Sequence, residues 1–284
     1  MSRRRILVTG AAGLIGEALL PALRLTSDEI IPLDRSACEL SDPDAARRAV
    51  AAIRPEVVVH LAGGTAADPG ELYRDNVLAT VHLLEALACL ETRPWCLVFG
   101  SAAEHTPVTE YGRAKRAQTT LAAWLAGARG IPLTILRPFN IVSHRLPAAS
   151  ALGNMRRQLL AGEGRERSVR CGRLDIVRDF VPLADVVEAV RRLLARPAPG
   201  EMAGQAIDVC SGAGIALGEI LAAMGRRLEV NVRIVPDPDL GAIPAPPRVV
   251  GDPAALLAAV GLAITPTAES LAALLLEDQS KISA

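Results

Sequence analysis

A glycine-spaced turn, Thr9-Gly10-Ala11-Ala12-Gly13-Leu14-Ile15-Gly16, stands near the start of the chain between an apolar run and a helical stretch. Its placement narrows the fold more than any other feature. Ile6 to Thr9 reads as a strand and Leu14 to Leu25 as a helix, so the glycines sit at a strand-to-helix turn. Gly10 permits the tight turn, Gly13 lets the backbone approach a pyrophosphate, and Gly16 lets the helix pack close to the sheet. Around Ala12, Leu14 and Ile15, the helix start supplies free N–H groups and a positive dipole end to an anion. Asp34 follows the next strand, Glu29 to Leu33, where a carboxylate can bond a ribose diol; together the two signals predict dinucleotide binding. Asp34 favours the free 2′-hydroxyl of NADH, while the adjacent Arg35 can hold the 2′-phosphate of NADPH, so both cofactors stay open.

The rest of the first 140 residues alternates short apolar runs with longer helical stretches. Asp42 to Ile53 reads as helix, Val57 to Leu61 as strand, Asp75 to Leu90 as helix, Cys96 to Phe99 as strand, Tyr111 to Leu125 as helix and Leu133 to Leu136 as strand. Strands apolar on both faces and separated by helices predict a Rossmann-like, doubly wound parallel α/β sheet. Beyond Phe139 the alternation loosens: helices are expected at 154–161, 185–195 and 217–228, and strands at 206–209 and 232–235. The expected organisation is a dinucleotide-binding Rossmann domain over 1–140 and a small, mainly substrate-binding region over 141–284, some segments of which return to the first domain. The Pro-rich piece from Pro236 to Pro247 is expected to be a loop.

Composition removes other classes. Thirty-one basic residues balance 31 acidic ones, and no basic run extends beyond Arg3 to Arg5, so the footprint of nucleic-acid binding is missing. Half the residues are hydrophobic, which excludes disorder. No apolar run approaches the roughly 20 residues that span a bilayer. Arg3 to Arg5 followed by apolar residues imitates an export signal, but Gly10, Gly13, Gly16 and Glu17 interrupt that stretch and no cleavage site is evident. Five scattered cysteines suggest neither a disulfide framework nor a zinc site, and His60, His82, His105 and His144 show no ligand spacing; a cytoplasmic, metal-free protein is expected.

One scarcity stands out. The chain has two lysines, Lys115 and Lys281, and two tyrosines, Tyr73 and Tyr111. Tyr111 and Lys115 lie four apart on a predicted helix and share a face. A phenol ordinarily titrates near 10, and a neighbouring ammonium favours its ionised form, which brings proton exchange into reach of neutral pH.

The order and spacing of further segments resemble the extended short-chain dehydrogenase/reductase family, the NAD-dependent epimerase/dehydratases. The GxxGxxG spacing of Gly10, Gly13 and Gly16 begins the match. Glu39-Leu40 with Asp42 is similar to an adenine-contacting segment, His60-Leu61-Ala62-Gly63 to the HLAA strand end, and Asn76-Val77 with Leu83 to Ala86 to the NVxGTxxLLEA helix. Gly100-Ser101-Ala102-Ala103-Glu104 resembles GSxxE, and Tyr111 to Lys115 resembles YxxxK. Arg137-Pro138-Phe139-Asn140, Arg178-Asp179-Phe180 with Asp185, and Asp208 to Gly212 resemble landmarks of the substrate-binding part. The resemblance implies that Ser101 holds a substrate carbonyl, Tyr111 donates the proton as hydride arrives, and Lys115 also holds the nicotinamide ribose. It further implies that Asn76 joins a proton relay, that Leu61, Ala62, Gly63, Pro138 and Phe139 line the cofactor, and that Ala102 and Asn140 meet substrate. A homodimer through the Asn76 and Tyr111 helices is implied as well.

Departures from that pattern gather where substrate is chosen. Ser101 and Tyr111 are ten positions apart, and Glu104 is followed by His105-Thr106-Pro107 in place of a longer loop through VYG or EYG. NxxG becomes Asn140-Ile141-Val142-Ser143, and GWxP becomes Gly261 to Pro266. A shortened loop opens the cleft, so the expected activity is NADPH- or NADH-dependent reduction of a small-molecule ketone of secondary metabolism. An aromatic polyketide is favoured, as in antibiotic-tailoring ketoreductases of the angucyclinone type. The alternative is a 4-ketoreductase or epimerase/dehydratase of a nucleotide-activated deoxysugar, with Arg178 or Arg248 gripping the diphosphate. A third reading is a catalytically silent dinucleotide-sensing module.

Overall fold

The computed structural model describes residues 3–196, 199–241 and 246–277. The first part of the chain runs β1 (Arg5–Thr9), α1 (Leu14–Arg24), β2 (Glu29–Leu33), α2 (Pro43–Ile53), β3 (Val57–His60), α3 (Pro69–Tyr73), a π turn (Arg74–Leu78), α4 (Ala79–Ala88), β4 (Trp95–Phe99), α5 (Glu110–Arg129) and β5 (Leu133–Pro138). It continues with β6 (Asn140–Val142), α6 (Ala151–Ala161), β7 (Glu166–Cys171), β8 (Val177–Pro182), α7 (Leu183–Leu194), β9 (Ala206–Val209), β10 (Gly214–Ala216) and α8 (Leu217–Arg227). Last come β11 (Asn231–Pro236), α9 (Pro238–Gly241), β12 (Arg248–Val249), α10 (Ala254–Val260) and α11 (Ala268–Leu275).

Two compact units emerge. One runs to Pro138 and takes in Val186–Val209 and Ala254–Leu262; the other comprises Phe139–Asp185, Cys210–Pro253 and the stretch from Ala263. The first is built on a six-stranded sheet in the order β2-β1-β3-β4-β5-β9, every neighbouring pair parallel. The order turns around between β1 and β3, the switch point outside whose carboxyl ends ligands bind in sheets of this type. β3 and β4 are buried on both faces, as parallel strands covered by helices must be. In the second unit, β8 pairs with β6, β10 and β12, and β7 pairs with β11.

Helix boundaries follow their capping chemistry. Asp42 accepts from the N–H groups of Asp44 and Ala45 at the start of α2, and Thr109 accepts from Gly112 N at the start of α5. The expected helix from Asp75 instead begins six residues earlier: Asp68 caps α3 at Pro69, and the π turn carries the chain on into α4. The loop expected over Pro236 to Pro247 contains the single turn α9, since Pro238 suits a first helical position; positions 242–245 lie outside the described residues. β7, β8 and α11 carry no clear period in the sequence and were not expected.

Candidate active site

The glycine turn lies at the carboxyl end of β1. Gly10 adopts φ +67°, and a Cβ there would lie 2.6 Å from Ala62 N, so both conformation and space demand glycine. A Cβ on Gly16 would meet Gly10 O at 2.5 Å, which fixes the close approach of α1 to the turn. Gly13 and Ala12 are exposed, and no side chain caps the first N–H groups of α1. Those groups, next to an open glycine backbone, fit a pyrophosphate.

At the end of β2, Asp34 Oδ1 accepts from Ser36 Oγ at 2.6 Å and from Ala37 N at 3.1 Å, and the Ser36 bond most of all holds its carboxyl below the ordinary range. Arg35 reaches across to Asp75 on the π turn, Nη2 to Oδ2 at 2.7 Å, and lies 3.5 Å from Glu39. Asp75 is buried and also receives Arg74 Nε at 3.1 Å. Glu39 turns its other oxygen to Ser41, and Leu40 is buried. Asn76 is buried as well; its Nδ2 donates to Gly64 O at 2.9 Å and to Leu72 O at 2.8 Å, while its Oδ1 packs against Gly63.

The segment after β4 brings the three chemical candidates together in spite of its shortness. Ser101 and Glu104 form a capping box around a single helical turn, with Ser101 N donating to Glu104 Oε1 at 2.7 Å. The Ser101 hydroxyl stands near enough to the Tyr111 phenol to favour its ionised form. Lys115 stands one turn further along α5, buried, its Nζ donating to Phe99 O at 2.8 Å and to Gln118 Oε1 at 2.7 Å. Burial pushes the Lys115 amine down to about 8 against the opposing pull of the Glu104 charge. The expectation for Tyr111 needs correcting. Its phenol is pushed up, not down: burial dominates, the Ser101 hydroxyl partly offsets it, and the Glu104 charge adds to it. The phenol is thus held neutral, the form from which a proton can be given.

Glu104 is a site residue whose part the motif reading missed. Nearly inaccessible, it also accepts from Thr119 Oγ1 at 2.7 Å and from Arg137 Nε at 3.0 Å. Arg137 lies 3.9 Å from Asp208, which receives His105 Nε2 at 2.9 Å. The S-x-x-E capping pattern was readable at Ser101 to Glu104. The Arg137 and Asp208 pairing was not, because it depends on the register that sets β5 beside β9.

In the second unit, Asn140 Nδ2 donates to Asp179 O at 2.9 Å, and the buried Asp179 carboxylate accepts from Ser211 N, Ser211 Oγ, Gly212 N and Gly251 N. Arg178 is partly buried, its guanidinium turned onto Val177 O; burial, with the charge of Arg173, lowers its pKa. Arg248 is exposed, with Nη1 beside Gly214. Phe139 is buried in this unit, and Pro138 and Ala102 are buried in the first. No group of three or more His, Cys, Asp or Glu able to hold a metal occurs among the described residues, and no helix there is long and apolar enough to cross a membrane.

A parallel sheet in this order, with an open glycine turn at its switch point and a Ser, Tyr and Lys after β4, defines a Rossmann-type, NAD(P)-dependent oxidoreductase of the short-chain kind. The chain belongs to the NAD dependent epimerase/dehydratase family, whose model matches residues 6–209. It is 28% identical over 260 residues to GDP-6-deoxy-D-mannose reductase of Pseudomonas aeruginosa, covering 83% of this chain and 84% of that one. It is 30% identical over 219 residues to dTDP-6-deoxy-L-talose 4-dehydrogenase (NAD(P)(+)) of Kitasatospora kifunensis, covering 66% and 68%. Among solved structures, RMD from Pseudomonas aeruginosa complexed with NADPH superimposes with a TM-score of 0.79 at 25% identity over 96% of each chain. The cofactor of this chain is NADPH or NADH.

Proposed function

We propose that the chain reduces the 4-keto group of a nucleotide-activated deoxysugar with NADPH or NADH, Ser101, Tyr111 and Lys115 being its catalytic residues. The observation that carries this reading is the Ser101 hydroxyl set beside a neutral Tyr111 phenol, with the buried Lys115 amine one helical turn away on α5. Relatives named for the reduction or dehydrogenation of GDP- and dTDP-activated deoxysugars support the substrate class. They give no support to an aromatic polyketide ketone, the reading that the shortened loop favours. A silent dinucleotide sensor is set aside, since the family is one of NAD-dependent enzymes and the chain carries Ser101, Tyr111 and Lys115.

When bound, the reduced nicotinamide supplies a hydride. Ser101 holds the sugar carbonyl oxygen, and the Tyr111 phenol gives its proton to that oxygen as hydride joins the carbonyl carbon, so the C=O π pair becomes the new O–H bond. The phenolate left behind is stabilised by the Ser101 hydroxyl and by the field of the Lys115 ammonium. Glu104 fixes the backbone of Ser101 and keeps Arg137 against the site. The uncapped N–H groups around Leu14 and Ile15 would take the pyrophosphate, Asp34 and Arg35 the adenosine ribose, and Leu61, Ala62 and Gly63 the nicotinamide side, with Lys115 on its ribose. Arg248, exposed where Arg178 is partly buried, is the better candidate of the two arginines for the substrate diphosphate. A homodimer belongs to the same reading: Leu78 at the end of the π turn, with Leu121 and Trp124 on α5, are exposed apolar side chains on the helices that would pair.

The test is turnover. Oxidation of NADPH and of NADH is followed with GDP- and dTDP-activated 4-keto-6-deoxysugars and with a panel of aromatic polyketide ketones. Turnover confined to the nucleotide sugars, with KM raised by Arg248→Ala, is the expected result. Turnover confined to the polyketides overturns the reading.

A further inference from the structure

A chain of buried polar side chains leads from Lys115 to the strand before the glycine turn. Lys115 Nζ donates to Gln118 Oε1 at 2.7 Å, and Gln118 Nε2 donates to Thr80 Oγ1 at 2.9 Å. Thr80 Oγ1 lies 2.9 Å from His60 Nε2, and His60 Nδ1 lies 2.7 Å from Thr9 Oγ1. Thr9, His60, Thr80 and Gln118 come from β1, β3, α4 and α5 and are all fully buried. The mechanism above uses none of them.

The direction of every bond in this chain can be deduced. A threonine hydroxyl has one proton, and two oxygens in close contact need a proton between them. Thr80 Oγ1 stands 2.6 Å from the Asn76 carbonyl, so its proton is spent there. It must accept from both other neighbours. His60 therefore carries its proton on Nε2, its Nδ1 accepts, and the Thr9 hydroxyl donates to it, while Thr9 Oγ1 accepts from Ala62 N at 3.3 Å. Burial, aided by the Lys115 charge, holds His60 neutral by pushing its pKa down to about 3, as this single-proton pattern requires.

The other end of the chain gives the same answer independently. An ammonium has donors and no acceptor, so Gln118 must turn its carbonyl to Lys115, which leaves its NH₂ for Thr80. Reversed, the amide would set donor against donor at Lys115 and acceptor against acceptor at Thr80, and in a buried site such mismatches are costly. We infer that Gln118 is a positioning residue for Lys115, held carbonyl-first by Thr80, and that His60 and Thr9 tie this arrangement to the strand entering the glycine turn. The inference takes its functional meaning from the reading of Lys115 as a catalytic residue; its geometry stands without that reading. Besides Gln118 and the Phe99 carbonyl, the titratable groups around this amine are Glu104 on the helical turn after β4, Tyr111 one turn back on α5 and neutral His60 on β3. Asp75 on the π turn is engaged by Arg35 and Arg74.

Two lysines make the test direct. Full-length protein labelled in lysine shows two side-chain resonances that titrate, and Lys281→Arg leaves that of Lys115. In Gln118→Leu the ammonium loses an acceptor that the neutral amine does not need, so its titration is expected to fall by about one pH unit or more, the scale of one lost hydrogen bond to a charged group. Thr80→Val, which releases the amide, is expected to move it the same way, and Thr80→Ser, which keeps the hydroxyl, to leave it at the wild-type value. Should Gln118→Leu fail to fold, Gln118→Glu asks the question with the opposite sign and is expected to raise the titration. A Lys115 titration unmoved by Gln118→Leu and Thr80→Val, or lowered by Gln118→Glu, overturns the inference. The pH profile of kcat separates the two claims. If the resonance moves and the profile follows, both stand; if the resonance moves alone, the positioning stands and the catalytic part assigned to Lys115 falls.

Discussion

Two cations of this molecule are held in opposite ways. Lys115 is buried, its ammonium bonded to one backbone carbonyl and to one amide whose orientation is dictated from behind. Arg35 is more than half exposed and lies along the surface to a buried carboxylate, Asp75, with a second one, Glu39, alongside. The first arrangement has no slack: any change of shape or proton count leaves a buried group unpaired. The second is adjustable, because an exposed guanidinium can exchange one oxyanion for another at little cost. On the proposed function, chemistry that must recur identically at each turnover would sit in the rigid arrangement, and the choice between two closely related cofactors in the pliable one.

The contrast can be broken at several points. Tyr111→Phe removes the proposed proton donor and is expected to lower kcat by about 10²- to 10⁴-fold with the fold intact, read from steady-state rates and circular dichroism. Substantial residual turnover would show that the proton comes from elsewhere, a substrate hydroxyl included. Lys115→Arg keeps the charge but asks a planar fork to enter a cavity shaped for an ammonium, so a loss on the order of 10²-fold is expected. A tolerated arginine would mean that the site is less rigid than its hydrogen bonds imply. On the pliable side, Asp75→Asn releases Arg35 for a 2′-phosphate, and the preference for NADPH over NADH, measured as the ratio of kcat/KM values, is expected to rise by about tenfold. An unchanged ratio would remove Asp75 from cofactor choice.

The smallest effect concerns pH. The folded-state pKa of His60, near 3, lies below its ordinary value of 6.5. Between those values the unfolded chain binds a proton that the folded chain does not, so the stability contributed by neutral His60 is present above pH 6.5 and is lost as pH falls toward 3. The ring resonances of His60 are expected to stay fixed from pH 8 to pH 5 while urea midpoints decline across the lower part of that range. A titration of this ring near 6.5 would contradict the buried, single-proton arrangement.

Much of the first unit was legible because its signals are local. Gly10, Gly13, Gly16 and Asp34 announce a strand, a turn, a helix and a second strand within thirty residues, and Glu29 to Leu33 was recovered to the residue. Tyr111 and Lys115 were found because their spacing is a property of one helix. What escaped depends on contacts between distant parts of the chain. Gln118 carries no motif; it matters because Thr80, from another helix, is already committed to Asn76. Asp75 reads as an ordinary helix-surface acid until the π turn sets it against Arg35. The sign of the Tyr111 shift was missed for the same reason, since burial and the approach of Glu104 belong to the packed site and not to the YxxxK spacing. In the second unit, short strands such as Asn140–Val142 and Arg248–Val249 are too brief to show a period.

The pairing of β5 with β9 has a consequence for synthesis. The whole stretch between Pro138 and Ala206 is made before the sixth strand can join the sheet, and closing so long a loop delays a contact however strong it becomes. A nascent chain that has reached Pro138 already has the sequence for five strands, the glycine turn, Tyr111 and Lys115, but Asp208, the partner of Arg137 and His105, is still to come. The part of the molecule that carries the glycine turn can therefore take shape first on the ribosome, and the charged network behind Ser101 is completed only when the sheet receives its final edge.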